Sequence, residues 1–213
     1  MTGGCPRIEW SKGAGFELEQ SVKRQAGFSL TELIVALLVA MILMALGLPA
    51  FLRAYRAYEL NTAATQVSNI LRLARYEAIR QNTSVQCMVR TSGPPPGSTN
   101  MWVDSVANGA LDPTEKMILL DPSGNLTDGG SVPGTGGLIS AAVGSMATNA
   151  PSPTVSGVWF DARGAVKPPS AVIIYYLSST VAPDAGYRAV FLLPAGSIEI
   201  WTADTSGNWQ QLR

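Results

Sequence analysis

The carboxylate of Glu32 is the side chain whose position most clearly calls for a chemical partner, because it stands at the start of an apolar segment. The twenty residues from Leu33 to Leu52 carry no charge, and as a helix they extend about 30 Å, the hydrocarbon thickness of a bilayer. A charged residue within a membrane span costs about 2.5–3.5 kcal/mol on insertion scales and is usually paired. The sequence therefore raises the question of what partner, or what environment, the Glu32 carboxylate meets.

The apolar segment has three competing interpretations. A secretory signal has a shorter apolar core and then a small-residue cleavage site, whereas here the core is long and the sequence GLPAFLRAY matches such a site poorly. A plain signal anchor accounts for the length, but it accounts for neither Glu32 nor the Gly27-Phe28 junction before it. The third interpretation depends on the residues around that junction.

The junction is flanked by residues at characteristic distances. Two basic residues precede Gly27, the sequence FSLTEL follows it, and Pro49 comes 21 residues after Phe28. This pattern resembles the class III signal of type IV pilins and pseudopilins. The resemblance implies that a prepilin peptidase cuts after Gly27 and N-methylates Phe28, while the apolar segment stays on the protein.

Within that resemblance, Glu32 and Pro49 acquire roles in assembly. Cleavage creates an ammonium group on Phe28, four residues before Glu32. In a filament, the Glu32 carboxylate of one subunit is then expected to meet the Phe28 amine of a neighbour, which offsets the desolvation cost and sets the axial register. The alternative is that Glu32 lies at the headgroup level and stays hydrated. Pro49 is the predicted helix kink, because proline removes a backbone hydrogen bond of the helix.

The helical pattern continues beyond Pro49. Small and apolar residues recur there at a spacing typical of a helix that buries one face. This stripe consists of Leu60, Ala64, Val67, Leu71, Ala74 and Ala78. Most of the arginines in this region, Arg72 and Arg75 among them, lie off the stripe. The spacing predicts one helix of about 50 residues, whose C-terminal half packs under a sheet.

Beyond Asn82, short apolar runs alternate with loops rich in Gly, Pro, Ser and Asn, a pattern typical of strands. Strands are predicted at Val85–Arg90, Met101–Val106, Met117–Leu120, Val155–Asp161, Ala171–Leu177, Arg188–Leu193, Ser197–Thr202 and Trp209–Leu212. Turn signals between the last three predict an antiparallel meander, and residues 91–100 and 121–137 are predicted to be surface loops. The expected fold class is α+β, with a long N-terminal helix packed on an antiparallel β head.

Three segments of the head carry a second resemblance: ILRLARYEAIRQNTSVQCMV at 70–89, VWFDARGAV at 158–166 and YRAVFLLPAGSIEIW at 187–201. They are similar to the GspH/FimT family of minor pseudopilins and minor pilins. The expected regions are a class III leader at 1–27, a transmembrane and filament-core helix at 28–52, an amphipathic helix at 53–82 and a β-rich periplasmic head at 83–213.

One departure from that family bears on nucleic acids. FimT-type DNA-uptake pilins carry a basic Gly-Arg-x-Arg motif, whereas the matching stretch here is Gly196-Ser197-Ile198-Glu199. From Gln81 to the end the chain has six Lys/Arg and nine Asp/Glu, and a glutamate repels phosphate. Binding to nucleic acid is therefore not expected.

The composition offers no constellation for catalysis. The chain has no histidine, the usual general base and commonest zinc ligand. Its cysteines are Cys5 and Cys87; cleavage at Gly27 leaves only Cys87, so no intramolecular disulfide is expected. Cys87 is predicted to be a small apolar residue in a strand.

The segment DPSGNLTD at 121–128 has the alternating oxygen-bearing residues of a calcium loop. Counted from Asp121, however, the twelfth position is Val132, where such a loop needs an acidic residue. No catalytic residue, cofactor or metal site is predicted, and an enzyme is not expected.

The two resemblances together imply a structural subunit, a minor pseudopilin of the type II secretion pseudopilus. Its expected partners are prepilin peptidase, the major and minor pilins or pseudopilins, and the inner-membrane assembly platform. It is expected to be a single-pass protein of the bacterial inner membrane with its head in the periplasm, and later part of the filament. The alternatives are a minor type IV pilin, for adhesion, motility or DNA uptake, and a signal-anchored periplasmic binding domain.

Overall fold

A computed structural model describes residues 29–93, 97–149, 155–169 and 171–212. The chain divides into two compact units, Met1–Met44 and Ala45–Arg213. The helices of the described residues are α1 at Leu30–Gln81 and α2 at Thr135–Val143, with 3-10 turns at Gly129–Ser131 and Pro183–Ala185. The N-terminal part of α1 belongs to the first unit, and the rest of α1 belongs to the second unit with all the strands.

The N-terminal part of α1 is apolar on every side. Its large hydrophobic side chains from Leu33 to Leu52 are all exposed. Among the described residues, α1 is the one helix long and apolar enough to cross a membrane, and none of its most apolar stretch is buried. A helix that is apolar all round needs lipid or other protein around it. The predicted apolar segment is therefore helical, and none of the described residues covers it.

From Leu60 onward, α1 is buried on one face. All six residues of the predicted stripe are fully buried, and Ala63, Ser68 and Ile70 widen the buried face. The predicted amphipathic helix is thus confirmed, and the 52 residues of α1 agree with the predicted length.

Eleven strands belong to two sheets in the described residues. They are β1 Val85–Gly93, β2 Ser98–Asp104, β3 Met117–Leu120, β4 Asn125–Thr127, β5 Thr148–Asn149, β6 Val155–Phe160, β7 Val166–Lys167, β8 Val172–Ser178, β9 Tyr187–Leu192, β10 Ile198–Ala203 and β11 Trp209–Leu212. The first sheet has the order β3-β2-β1-β6-β7 and the second has the order β11-β10-β9-β8-β4, with β5 parallel to β8. Both sheets pack on the α1 stripe in one core, through residues such as Val89, Phe160, Tyr175 and Leu192.

The eight predicted strands are all present, with boundaries shifted by at most three residues. The predicted meander is confirmed, because β9, β10 and β11 are antiparallel neighbours. The α+β fold class is confirmed as well. Cys87 is buried in β1, as predicted, and burial raises the pKa of its thiol to about 12. The thiol therefore stays protonated at neutral pH and behaves as a small apolar group.

The predicted surface loop at 121–137 is wrong for much of its length, because it contains β4, a 3-10 turn and the start of α2. β4 joins the edge of the second sheet, while Val132 and α2 form a second layer on the face of that sheet that points away from α1. There Leu138 packs with Ile174, Tyr176 and Phe191 in a separate apolar core. Burial against the sheet overrides the poor helix propensity of the glycines that open α2. The predicted loop at 91–100 is also too long, since β1 extends to Gly93 and β2 begins at Ser98.

Two glycines hold this second layer against the turn between β10 and β11. Gly134, which caps α2, and Gly207 have positive φ angles of 71° and 84°. A Cβ atom on Gly134 would collide with the carbonyl oxygen of Gly207. Beside them, the indole Nε1 of Trp209 donates to the Pro133 carbonyl at 3.1 Å. The close backbone contact therefore requires glycine at position 134.

Gly134→Ala is expected to lower the free energy of unfolding by about 1–3 kcal/mol, because alanine adds strain at positive φ and a clash with Gly207. Gly136→Ala is the matched control, since Gly136 lies in α2 with open space around its Cβ position. That control is expected to be neutral or stabilising by up to about 1 kcal/mol. Urea unfolding of the full chain in detergent micelles, followed by tryptophan fluorescence, measures both. Equal stability of the two variants would contradict the role assigned to Gly134.

Candidate functional site

The first turn of α1 is capped by Ser29. The Ser29 carbonyl accepts a hydrogen bond from the Leu33 N–H at 3.2 Å, and Ser29 Oγ accepts one from the Glu32 N–H at 3.3 Å. Glu32 is the acidic residue of this turn, where a negative charge complements the helix dipole. The local sequence therefore fixes where the helix starts and places Glu32 next to its N-terminus.

The Glu32 carboxylate is exposed, and it has no hydrogen bond or ion pair with any residue that the structure describes. It is therefore available to a group from another chain. The predicted partner, the Phe28 amine, and the predicted cleavage junction at Gly27 and Phe28 lie outside the described residues. The cleavage, the N-methylation and the pairing with Glu32 stay predictions.

Pro49 lies inside α1 and is exposed. Because proline has no N–H, the carbonyl four residues before it lacks its usual helical donor. The helix nevertheless continues on both sides of Pro49. The predicted kink at this residue stays a prediction.

Near the C-terminal end of α1, Arg75 joins the helix to one turn of each sheet. Its Nη1 donates to the Gly196 carbonyl at 3.0 Å, in the turn between β9 and β10. Its side chain also packs against Gly164, in the turn between β6 and β7, where a Cβ atom would lie 2.9 Å from Arg75 Nε. The two turns touch each other, since a Cβ atom on Gly196 would collide with the Gly164 carbonyl. We call this contact of Arg75, Gly164 and Gly196 the arginine junction.

Backbone hydrogen bonds complete the arginine junction. The Val166 N–H donates to the Pro194 carbonyl at 2.9 Å, which ties β7 of the first sheet to the turn after β9 in the second. Asp161 shapes the β6–β7 turn, because its Oδ1 accepts from the backbone N–H groups of Ala165 and Arg163 at 2.9 Å each. These hydrogen bonds, led by the one from Ala165, hold the pKa of Asp161 below its usual value. The junction therefore fixes both sheets and the helix at a single point.

The sequence interpretation missed the arginine junction. It placed Arg75 off the buried stripe and assigned it no contact, whereas the side chain is half-buried beneath the two turns. The available signal was the glycine in each turn sequence, DARGAV and LPAGS, since Gly164 and Gly196 both have a φ of 78°. The sequence does not show that both turns contact the same arginine, because that contact forms only when the two sheets pack together.

The apolar half of α1 is not covered by any described residue, and its amphipathic half packs under antiparallel sheets. This arrangement is a pilin-like fold. The family model of the prokaryotic N-terminal methylation motif matches residues 22–48. The family model of the type II transport protein GspH matches residues 63–196, more than half of the 213-residue chain. The chain therefore belongs to the GspH family, as its head sequences predicted.

Among solved structures, the chain is similar to the type IV minor pilin FimU of Pseudomonas aeruginosa in two crystal forms. In one form the sequence identity is 16%, the match covers 73% of this chain and 94% of the pilin chain, and the TM-score is 0.44. In the other form the identity is 16%, the coverages are 72% and 98%, and the TM-score is 0.42. No curated protein matches the chain.

Arg75→Ala is expected to lower the free energy of unfolding by about 1–3 kcal/mol, because it leaves the Gly196 carbonyl without its charged donor. Arg72→Ala removes the same charge from an exposed position one turn earlier, and it is expected to change stability by less than about 0.5 kcal/mol. Thermal unfolding of the full chain, followed by near-ultraviolet circular dichroism, compares them. A loss of equal size in both variants would mean that charge, and not the junction, stabilises the head.

Proposed function

We propose that the protein is a minor pseudopilin of a type II secretion system, a structural subunit that supports protein secretion. The observation that carries this proposal is the order of two matches along the chain, the N-terminal methylation motif at 22–48 and the GspH type II transport family at 63–196. The methylation motif by itself equally favours a minor type IV pilin, which is the second candidate. A signal-anchored binding domain accounts for neither match.

In this proposal, the chain is first a membrane protein and then a filament subunit. A prepilin peptidase cuts after Gly27 and methylates Phe28. The apolar part of α1 holds the subunit in the inner membrane, with the head in the periplasm, until the assembly platform transfers it to the major and minor subunits of the filament. The exposed apolar side chains from Leu33 to Leu52 support both stages, because they need lipid before assembly and neighbouring helices afterwards.

Glu32 and Phe28 guide the transfer in this proposal. The Glu32 carboxylate has no partner among the described residues, and an unpaired charge in an apolar environment is costly. The new ammonium group of Phe28 in a neighbouring subunit supplies the opposite charge. Pairing of the two groups then favours one axial position of each subunit over all others.

Deletion of the gene in its own host tests the choice between the two filaments. If the protein is a minor pseudopilin, the deletion leaves substrates of type II secretion inside the cell, while surface pili are still made. Complementation with the full chain is expected to restore secretion. Normal secretion together with loss of pili would overturn the proposal in favour of a minor type IV pilin.

Glu32→Ala is expected to enter the membrane normally but to be incorporated into filaments at least about tenfold less than the wild type, because the Phe28 ammonium then lacks its counter-charge. Thr31→Ala, at the exposed neighbouring position, is the matched control and is expected to be incorporated normally. Cross-linked filament yield measures the effect. Mass spectrometry of the same samples reports whether each chain has lost residues 1–27 and carries a methylated Phe28.

Two results of that experiment would contradict the assignments. An uncut N-terminus in the wild type, co-expressed with a prepilin peptidase, would exclude processing at Gly27. Normal incorporation of Glu32→Ala would exclude the pairing role and leave Glu32 as a hydrated residue at the headgroup level.

A further inference from the structure

Arg188 is a buried cation that belongs neither to the N-terminal residues with proposed roles in assembly nor to the arginine junction. It lies near the start of β9, only 5% exposed, on the side of the second sheet that faces α1. Its Nε donates to the side-chain oxygen of Asn61 on α1, and its Nη1 donates to the Tyr187 carbonyl at 2.8 Å. Both acceptors are neutral, so the guanidinium is buried without a counter-charge.

The nearby carboxylates do not act as a counter-charge for Arg188. The ion pairs of the described residues are Arg56 with Asp184 and Arg80 with Glu77, so Asp184 is already paired. Asp204 lies near Arg188 but beyond ion-pair distance of it. Its carboxylate instead accepts hydrogen bonds from the Ser206 N–H at 2.9 Å and from the Asn208 side-chain amide at 2.7 Å. Burial lowers the pKa of Arg188, and no carboxylate opposes that shift.

Arg188 lines a cavity of about 240 Å³ at the ends of β9, β10 and β11. Strand pairing places the other polar residues of the cavity beside Arg188. Arg188 of β9 lies opposite Thr202 of β10, and Thr202 lies opposite Gln210 of β11. Of the five N–H donors of a guanidinium, two are used by Asn61 and Tyr187. Nη2 has no partner in the described part of the chain, and it is not among the side-chain atoms enclosed by protein. Because Arg188 lines the cavity, these unused donors are the ones that it can offer to a ligand there.

We propose that this cavity is a carboxylate-binding site, with Arg188 Nη2 as the charged donor and Thr202 and Gln210 as neutral donors. A carboxylate suits the site because a guanidinium binds it with short, charge-assisted hydrogen bonds that strengthen in a desolvated position. Asp204 at the wall carries a negative charge, but its carboxylate is exposed and already accepts hydrogen bonds from Ser206 and Asn208 of its own turn. Arg188 is the one positively charged group among the residues that line the cavity, and it is the group that a carboxylate would pair with.

The carboxylate has two possible sources, an Asp or Glu side chain of an adjoining filament subunit or a free small carboxylic acid. We assign it to the subunit. This assignment rests on the proposed function, which brings the heads of neighbouring subunits together. The carboxylate chemistry itself rests on the geometry of Arg188 alone, and the two parts can be tested separately.

The first test uses the full chain in detergent micelles, with sodium acetate as the probe and sodium chloride at equal ionic strength as the reference. Acetate is expected to shift the Nε–H resonance of Arg188 along a saturable curve, identified by its absence in Arg188→Gln. Acetate is also expected to raise the thermal midpoint of the wild type and of Arg163→Gln, whose arginine is exposed, but not that of Arg188→Gln. A linear drift equal to that in chloride would overturn the site, even if Arg188→Gln failed to fold.

The second test measures cross-linked incorporation into filaments in cells. Arg188→Gln is expected to reduce incorporation several-fold relative to Arg163→Gln, with normal cleavage of both chains. Unchanged incorporation after a positive acetate test would overturn the subunit as the source and leave a free carboxylic acid as the ligand. Failure of the proposed secretion function would be seen in the gene deletion and would leave the acetate result intact.

Discussion

The packing of both sheets on one stripe of α1 is the interaction on which the head depends. The stripe from Leu60 to Ala78 is shared by residues of the first and the second sheet in a single core. Half of its six members are alanines, whose short side chains let strands approach the helix closely, and the larger members fill the space between them. Each fully buried Leu or Val contributes about 1.5–3 kcal/mol. A polar residue in the stripe would loosen both sheets at once, whereas one in α2 would loosen only the outer layer.

The stripe sets how far the sheets lie from the helix, and the arginine junction sets where they meet. Apolar packing is not directional, so it tolerates sliding of a sheet along the helix. The hydrogen bonds of Arg75 to Gly196 and of Val166 to Pro194 are directional and admit one arrangement. The two kinds of contact together fix the arrangement of the sheets on the helix.

The sequence predicts the parts of this protein that depend on local periodicity. The helical spacing of Leu60 to Ala78 and the apolar runs of the strands survive assembly, because each element buries one regular face. The 121–137 segment was missed because its glycines argue against structure locally, and α2 is stable only against the finished sheet. Arg75 and Arg188 were missed for a related reason. Each arginine is buried by elements that are distant from it in sequence, two turns for Arg75 and the helix α1 for Arg188. Local sequence patterns do not show such burial.

For the N-terminal residues, the sequence is more informative than the structure. Gly27, Phe28, Glu32 and Pro49 were all singled out from the sequence, because the signal that they resemble is a pattern of residue types at fixed spacing, which does not depend on the fold. In the proposed function, the partners of the apolar helix and of Glu32 belong to other molecules, so a single chain does not contain them. The capped first turn and the unpartnered carboxylate are the features that one chain reveals.

The cap at Ser29 has a consequence for the order of events in maturation. Ser29 holds the amides of Glu32 and Leu33 with its own hydroxyl and carbonyl oxygens, so these bonds need no atom from the residues before it. In the proposed maturation, removal of the leader leaves both bonds in place. In that proposal, processing changes the charge near the end of the helix without removing either bond. The peptidase can then act on a chain whose head has already folded.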